Sequence, residues 1–254
     1  MAHRISELLL YDEASVPQIR TDELADFIEK LTGINVTIRD PFFKHHNVTR
    51  KNYQDLTTCR IFNPYLPFER TALTSDNVKT EEDRLDGDAI LYDGFEIQNL
   101  FRDILPDTEL AQDYFHLIFT TKIICTYDFG DLRYHGRAII CSNPSIISTT
   151  GMVEAPAKPR EYYLRTYERA RLGSDACSIR DEFKGRFLEI NDERLRFVVR
   201  GYAVQSIFYY LTGDPFCEYK DCILFNAHWQ EDLLYSQVRC GKLCNHHQTV
   251  LDNM

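Results

Sequence analysis

The sequence predicts an α/β protein: a mixed, twisted sheet flanked by helices, with a C-terminal lobe built around cysteine pairs. Three observations predict it. The first forty or so residues read as strand, helix, strand. The middle reads as a hairpin of β-branched and aromatic residues. A long helix, apolar nearly all round, then runs into a stretch that holds four cysteines, Cys217, Cys222, Cys240 and Cys244.

At 254 residues the chain can bury a sizeable core. We divide it into an N-terminal α/β part, 1–110, and a second part, 111–254, packed as one compact unit. The net charge of -10 argues against a nucleic-acid or anionic-membrane surface, which needs clustered Lys and Arg. No stretch approaches the roughly 20 apolar residues of a membrane span. Residues 1–12 offer only Leu8-Leu9-Leu10, too short for a secretory signal core. A cytoplasmic location is expected, where thiols stay reduced and paired cysteines favour metal over disulfide.

The elements follow in order. Residues 3–11 read as a strand. Thr21 or Asp22 can cap a helix through Leu31, with Leu24, Phe27, Ile28 and Leu31 on one face and Gly33 behind. Residues 34–39 alternate as a second strand, completing β-α-β. Residues 40–94 give a poor signal, with an acidic, exposed run at 76–88. Residues 95–105 form a short helix that Pro106 ends. Residues 116–127 read as one strand, 128–131 as a turn, and 133–141 as the returning strand. Residues 144–157, rich in Ser, Thr, Gly and Pro, form a polar connection or line a cleft. Residues 159–172 form a charged, exposed helix. Asn191 can cap a buried helix that runs to Thr212, where Gly213 suits a left-handed C′ position and Pro215 blocks continuation.

That helix delivers the chain into Cys217-x4-Cys222 and, seventeen residues later, Cys240-x3-Cys244. Two pairs separated by such a loop can fold onto one another. Four thiolates arriving from two directions match tetrahedral zinc, which takes S or N ligands, sulfur at about 2.3 Å. The expected ligands are Cys217, Cys222, Cys240 and Cys244 around one structural ion; two disulfides or unrelated buried thiols are the alternatives. His246 and His247, just beyond Cys244, compete as a fourth ligand. Cys59, Cys125, Cys141 and Cys177 are scattered and read as core residues.

A buried helix, a glycine turn and two cysteine pairs resemble the layout of the archaemetzincins, zinc metallopeptidases of the metzincin clan. Their motif runs H-E-x-x-H-x-x-G-x-x-H-C-x4-C and ends in a C-x-x-C pair. Gly213, Cys217 and Cys222 match it in register, and Cys240-x3-Cys244 has one residue more than the last pair. The match covers roughly residues 191–247. The chain is also similar to an archaeal family of metallopeptidase-like proteins, through stretches such as 144–163. The resemblance implies a zincin-like fold and a structural zinc. It also implies where catalysis would sit, and there the pattern is broken. The first and second histidine positions hold Ser206 and Tyr210, the general-base position holds Ile207, and Phe216 stands at the third histidine. A catalytic zinc needs three protein ligands, an open position for water, and a base for that water's proton.

The histidines elsewhere do not restore the pattern. His116 and His135 read as structural, and His45-His46 as solvent-facing. There is neither a G-x-S-x-G elbow nor a Gly-rich phosphate loop. The expected function is a zinc-binding, catalytically degenerate peptidase relative that holds a peptide or protein partner, for example along an edge strand at 116–126. Its rivals are a working hydrolase with unconventional ligands and a structural subunit of a larger complex.

Overall fold

A computed structural model describes residues 4–69, 89–171 and 177–253. The fold is the mixed α/β architecture expected, with two sheets and helices packed against them. β1 (Glu7–Tyr11), α1 (Thr21–Thr32) and β2 (Asn35–Arg39) form a parallel β-α-β unit. Gly33 ends α1 in the left-handed conformation, as predicted, but the helix begins behind Arg20, without a Thr21 or Asp22 side-chain cap. Short helices α2 (Phe42–His45) and α3 (Arg50–Thr58) follow. The acidic run at 76–88 lies outside the described residues. β3 (Leu91–Asp93) leads into α4 (Gly94–Ile104), which Asp93 caps by accepting the Phe95 and Glu96 N–H groups.

The single strand expected at 116–127 is two strands in two sheets, β4 (Tyr114–Thr120) and β5 (Ile123–Asp128). Both halves are strand formers, so composition hides the step at Thr121 and Lys122, where the Thr120 hydroxyl accepts the Lys122 N–H at 3.2 Å. The returning strand divides likewise, into β6 (Arg133–Arg137), the hairpin partner of β5, and β7 (Ile139–Ile140). β8 (Ser145–Ser148) completes a five-stranded sheet in the order β2-β1-β4-β8-β7, parallel except for β7. The second sheet runs β3-β5-β6. β4 therefore lies inside the main sheet and β5 inside the second, so no part of 116–126 is the edge that was expected; β7 is.

The polar segment at 144–157 is largely interior. Ser145, Ser148, Thr149 and Gly151 are buried, and Ser148 caps α5 (Thr149–Glu154) by accepting the Gly151 N–H. Its hydroxyls are paired, Ser148, Thr149 and Thr150 donating to the Lys122, Thr120 and Thr121 carbonyls and Ser145 to the Ser206 hydroxyl, which lets polar residues be buried at little cost. Next come α6 (Arg160–Arg171), which buries none of its residues, and α7 (Cys177–Glu182). α8 (Leu195–Thr212) is the long buried helix, ending at Gly213 with φ 83°. Its N-cap is Arg194, three residues beyond Asn191. Asn191 sits in a left-handed turn at φ 63°, and Asp192 accepts from the Arg194 backbone and guanidinium instead.

Val198, Val199, Ala203 and Ile207 of α8 join β1, β4, β8 and α1 in the largest apolar cluster. Each fully buried aliphatic side chain there contributes roughly 1.5–3 kcal/mol. The opposite side of α8, through Val204 and Phe208, packs against the C-terminal lobe with Cys217, Cys222, Ile223, Leu224 and Leu243. α9 (Gln230–Leu233), a π-helical turn (Leu234–Cys240) and α10 (Asn245–Asp252) complete that lobe. No helix among the described residues is long and apolar enough to cross a membrane.

Candidate functional site

The lobe brings together three of the four predicted cysteines. The sulfurs of Cys217, Cys222 and Cys244 and one nitrogen of His247 all lie within 4.8 Å of one another. Local backbone structure sets them there. The Cys217 N–H donates to the Leu224 carbonyl at 2.9 Å, and the Cys222 N–H to the Tyr219 carbonyl at 3.0 Å, closing Cys217-x4-Cys222 into a knuckle. The Ile223 N–H bonds to the Lys242 carbonyl at 2.8 Å and ties that knuckle to the strand of chain leading into Cys244. Cys244 is the N-cap of α10, and one turn on, His247 reaches back to place its Nδ1 at 3.1 Å from Cys244 Sγ and 3.9 Å from Cys222 Sγ.

Cys240 is not brought to this cluster. The π-helical turn ends at it and Gly241 follows at φ 60°, which leaves its thiol beside Asp221, Sγ to Oδ1 3.8 Å. The fourth ligand-type atom of the cluster is a His247 ring nitrogen. Cys244-x2-His247 has the two-residue gap that Cys240-x3-Cys244 lacks, and that was the signal in the sequence for preferring it.

The donor set fits zinc. Tetrahedral zinc–sulfur geometry places sulfurs roughly 3.8 Å apart, the scale of this cluster. Backbone N–H groups of Tyr219 and Cys244 point at Cys217 Sγ and Cys222 Sγ, both at 3.4 Å, an arrangement that favours sulfur carrying negative charge. At Cys244 burial is outweighed by hydrogen bonds from the His247 and His246 backbone and the other two thiols, which hold it below the usual value. Without a cation Cys222 and Cys217 resist ionisation: burial pushes Cys222 up to about 12 and raises Cys217 as well. A bound dication would reverse that preference and hold three thiolates together. The His247 ring stacks edge-on against Phe208, centroids 5.5 Å apart, so the cluster is seated on α8.

The degenerate positions lie elsewhere. Ser206 is fully buried, accepting from Ser145 Oγ at 2.8 Å and donating to the Tyr202 carbonyl at 3.0 Å. Ile207 is in the main core. Tyr210 packs on Phe115 and donates to the Gln112 carbonyl at 2.6 Å. Only Phe216 borders the principal cavity, a space of about 470 Å³ between α8, the β6–β7 edge and the loop at 225–228. The face of α8 that lines it carries Tyr202, Gln205 and Tyr209. Ala155 and Pro156 line it too, so the end of the 144–157 segment does border a cleft.

The remaining cysteines and histidines are mostly structural. Cys59 and Cys125 are buried, as expected, whereas Cys141 is half-buried and borders the cavity. The side chain of Cys177 lies outside the described set. His116 is buried between the Tyr11 hydroxyl (3.2 Å) and the Glu109 carbonyl (2.9 Å). His46, expected in solvent, is half-buried and bonds the Tyr11 hydroxyl at 3.1 Å; burial pushes it down to about 4. His135 joins Asp128 and Asp131 in a second, exposed group, in which Asp131 already bonds Arg133 and His135. His228 stands exposed at the cavity mouth.

A Cys3His cluster seated on a buried central helix has the donor set and the dimensions of a metal centre. The chain belongs to the probable metallopeptidase family DUF6775, which matches residues 4–254. No curated protein matches it. It is similar to two solved structures. One is an archaemetzincin from Methanopyrus kandleri, 9% identical, with 99% of this chain and 95% of that one covered and a TM-score of 0.48. The other is a zinc-dependent peptidase from Methanocorpusculum labreanum, 10% identical, with 96% and 99% covered and a TM-score of 0.47.

Proposed function

We propose that this protein is a zinc-stabilised, non-hydrolytic member of its metallopeptidase family, which holds an extended peptide or protein segment in the cavity beside α8. One ion is structural, bound by Cys217, Cys222, Cys244 and His247. The observation that carries the reading is the chemistry of the cavity wall. Peptide hydrolysis at zinc needs three ligands and a carboxylate base around one point. Among the described residues, neither metal-competent group of side chains borders the cavity. α8 offers it two tyrosines and an amide instead.

Free cysteines used as ligands suit a reducing compartment, so we place the protein in the cytoplasm. A second reading, a hydrolase with unusual ligands, is favoured by one observation: His228 and Cys141 both border the cavity. Incubating the zinc-loaded protein with quenched fluorescent peptides separates the two. No turnover above buffer is expected. Turnover abolished by chelator and restored by zinc would establish the hydrolase.

A further inference from the structure

Gln205 and Gln237 are each only 2% exposed, and both border the cavity. Gln205 Oε1 and both polar atoms of Gln237 have no hydrogen-bond partner in the protein. A buried amide left unpaired is destabilising, because it gives up its bonds to water and gains none, so native proteins seldom keep one without a use. Here two stand in one cavity. Their positions are built. Gln205 is on α8, and its Nε2 donates to the Phe225 carbonyl at 3.4 Å, leaving the oxygen free. Gln237 comes from the π-helical turn, a conformation found often at functional sites. It lies flat against α8 at Gly201, where an added Cβ would come within 2.3 Å of its side-chain carbon.

We infer that Gln205 and Gln237, whose unpaired atoms are closed off from solvent beneath the cavity wall, turn outward to form an uncharged clamp for a main-chain peptide group of the segment bound in this cavity. The inference rests on the reading of the cavity as a peptide-holding cleft and names the groups that do the holding. A carboxamide offers an N–H donor and a C=O acceptor, the complement of one peptide unit. The rest of the lining suits an extended chain. β7 is one of the two outer strands of the main sheet, and Ile139 with the preceding Gly136–Ala138 stretch lines the cavity, so its open edge can add a strand. Tyr202, Tyr209 and Phe216 offer aromatic surface to an apolar side chain. Arg137 is the one Lys or Arg among the described residues of the lining, and its Nε donates to Thr126 Oγ1 at 2.7 Å.

The test uses the zinc-loaded full chain and a mixture of acetyl-capped, C-terminally amidated tetrapeptides randomised at each position. Equilibrium dialysis with mass spectrometry selects the retained sequences, and loss of retention in Phe216→Arg locates them in the cavity. Each retained peptide is then remade with one peptide N–H replaced by an ester oxygen, position by position. One such replacement should weaken binding about tenfold. Gln205→Leu and Gln237→Leu should each bind the parent peptide about tenfold more weakly, and the variant of the glutamine that accepts the peptide N–H should lose the discrimination against the ester. Gln205→Met and Gln237→Met serve as second variants if either leucine form fails to fold. Ester and amide binding equally, or discrimination surviving in both variants, overturns the clamp while leaving the cleft a peptide site. Retention of no tetrapeptide by the wild type overturns the peptide-holding reading and the clamp with it.

Discussion

A thiol must lose its proton before it ligates metal, so the ligands and the bystander differ in what a single atom change does. Serine at Cys217, Cys222 or Cys244, or alanine at His247, should reduce bound zinc below about half an equivalent per chain, given the affinities of such centres. Cys240→Ser should keep it, since that thiol faces Asp221. Metal content of the purified variants checks this, and loss of zinc in Cys240→Ser would restore the four-cysteine arrangement. His46 gives a second test at this scale. Its ring is held neutral, with a pKa pushed down to about 4, first by burial and then by the neighbouring His45. An unfolded histidine titrates near 6.5, so between these values the unfolded chain binds the extra proton. The stability involved is full above about pH 6.5 and is lost as pH falls towards about 4. That loss is about 3 kcal/mol at most, roughly halved for a half-exposed ring. Urea midpoints measured at about pH 7.5 and about pH 4.5 should therefore diverge less in His46→Gln than in wild type.

At the scale of elements, α8 has two working faces, and their separation governs what substitutions do. Combining Ser206→His, Ile207→Glu and Tyr210→His should produce no zinc-dependent hydrolysis. Ser206 and Ile207 are fully buried against the sheet and core, and Tyr210 packs on Phe115, all away from the cavity. The carboxylate that Ile207→Glu puts into that core should instead unfold the protein, at a cost of several kcal/mol. Gly201→Ala should cost about 1–3 kcal/mol by driving Gln237 off the helix, read as a lowered thermal midpoint. The helix itself was legible in the sequence because unbroken apolar composition followed by a glycine leaves few other solutions. Which of its faces meets the cavity was not legible. Apolar residues all round remove the periodicity that would orient it, and the motif register alone pointed to 206 and 210. The break between β4 and β5 was hidden for a related reason, since both halves carry the same β-branched and aromatic composition. Trp229, for all its apolar surface, is 42% exposed and does not anchor the lobe. The buried Gln230 does that work, bonding the Met152 and Val153 carbonyls at 2.9 and 3.1 Å and accepting the Leu188 N–H at 3.2 Å.

For the whole molecule, the lobe and the sheet depend on metal to different degrees. A structural zinc contributes about 10–16 kcal/mol of apparent binding free energy in small modules, while entire domains are stable by only about 5–15 kcal/mol. The apolar contacts around the metal ligands run through the cysteines themselves, with Ile223, Leu224 and Leu243, whereas the main core needs none of these and takes only Leu233 and its neighbours from the lobe. Chelation should therefore admit protease first between residues 218 and 239, with the 1–212 portion surviving longer; uniform protection after verified metal removal would make the cysteines packing residues. The central claim is one structural ion and no catalytic one. Native mass spectrometry of protein purified without chelator tests it most directly. One zinc per chain is expected in the wild type and none in Cys222→Ser. A second zinc that survives Cys222→Ser and disappears in His228→Ala would contradict it.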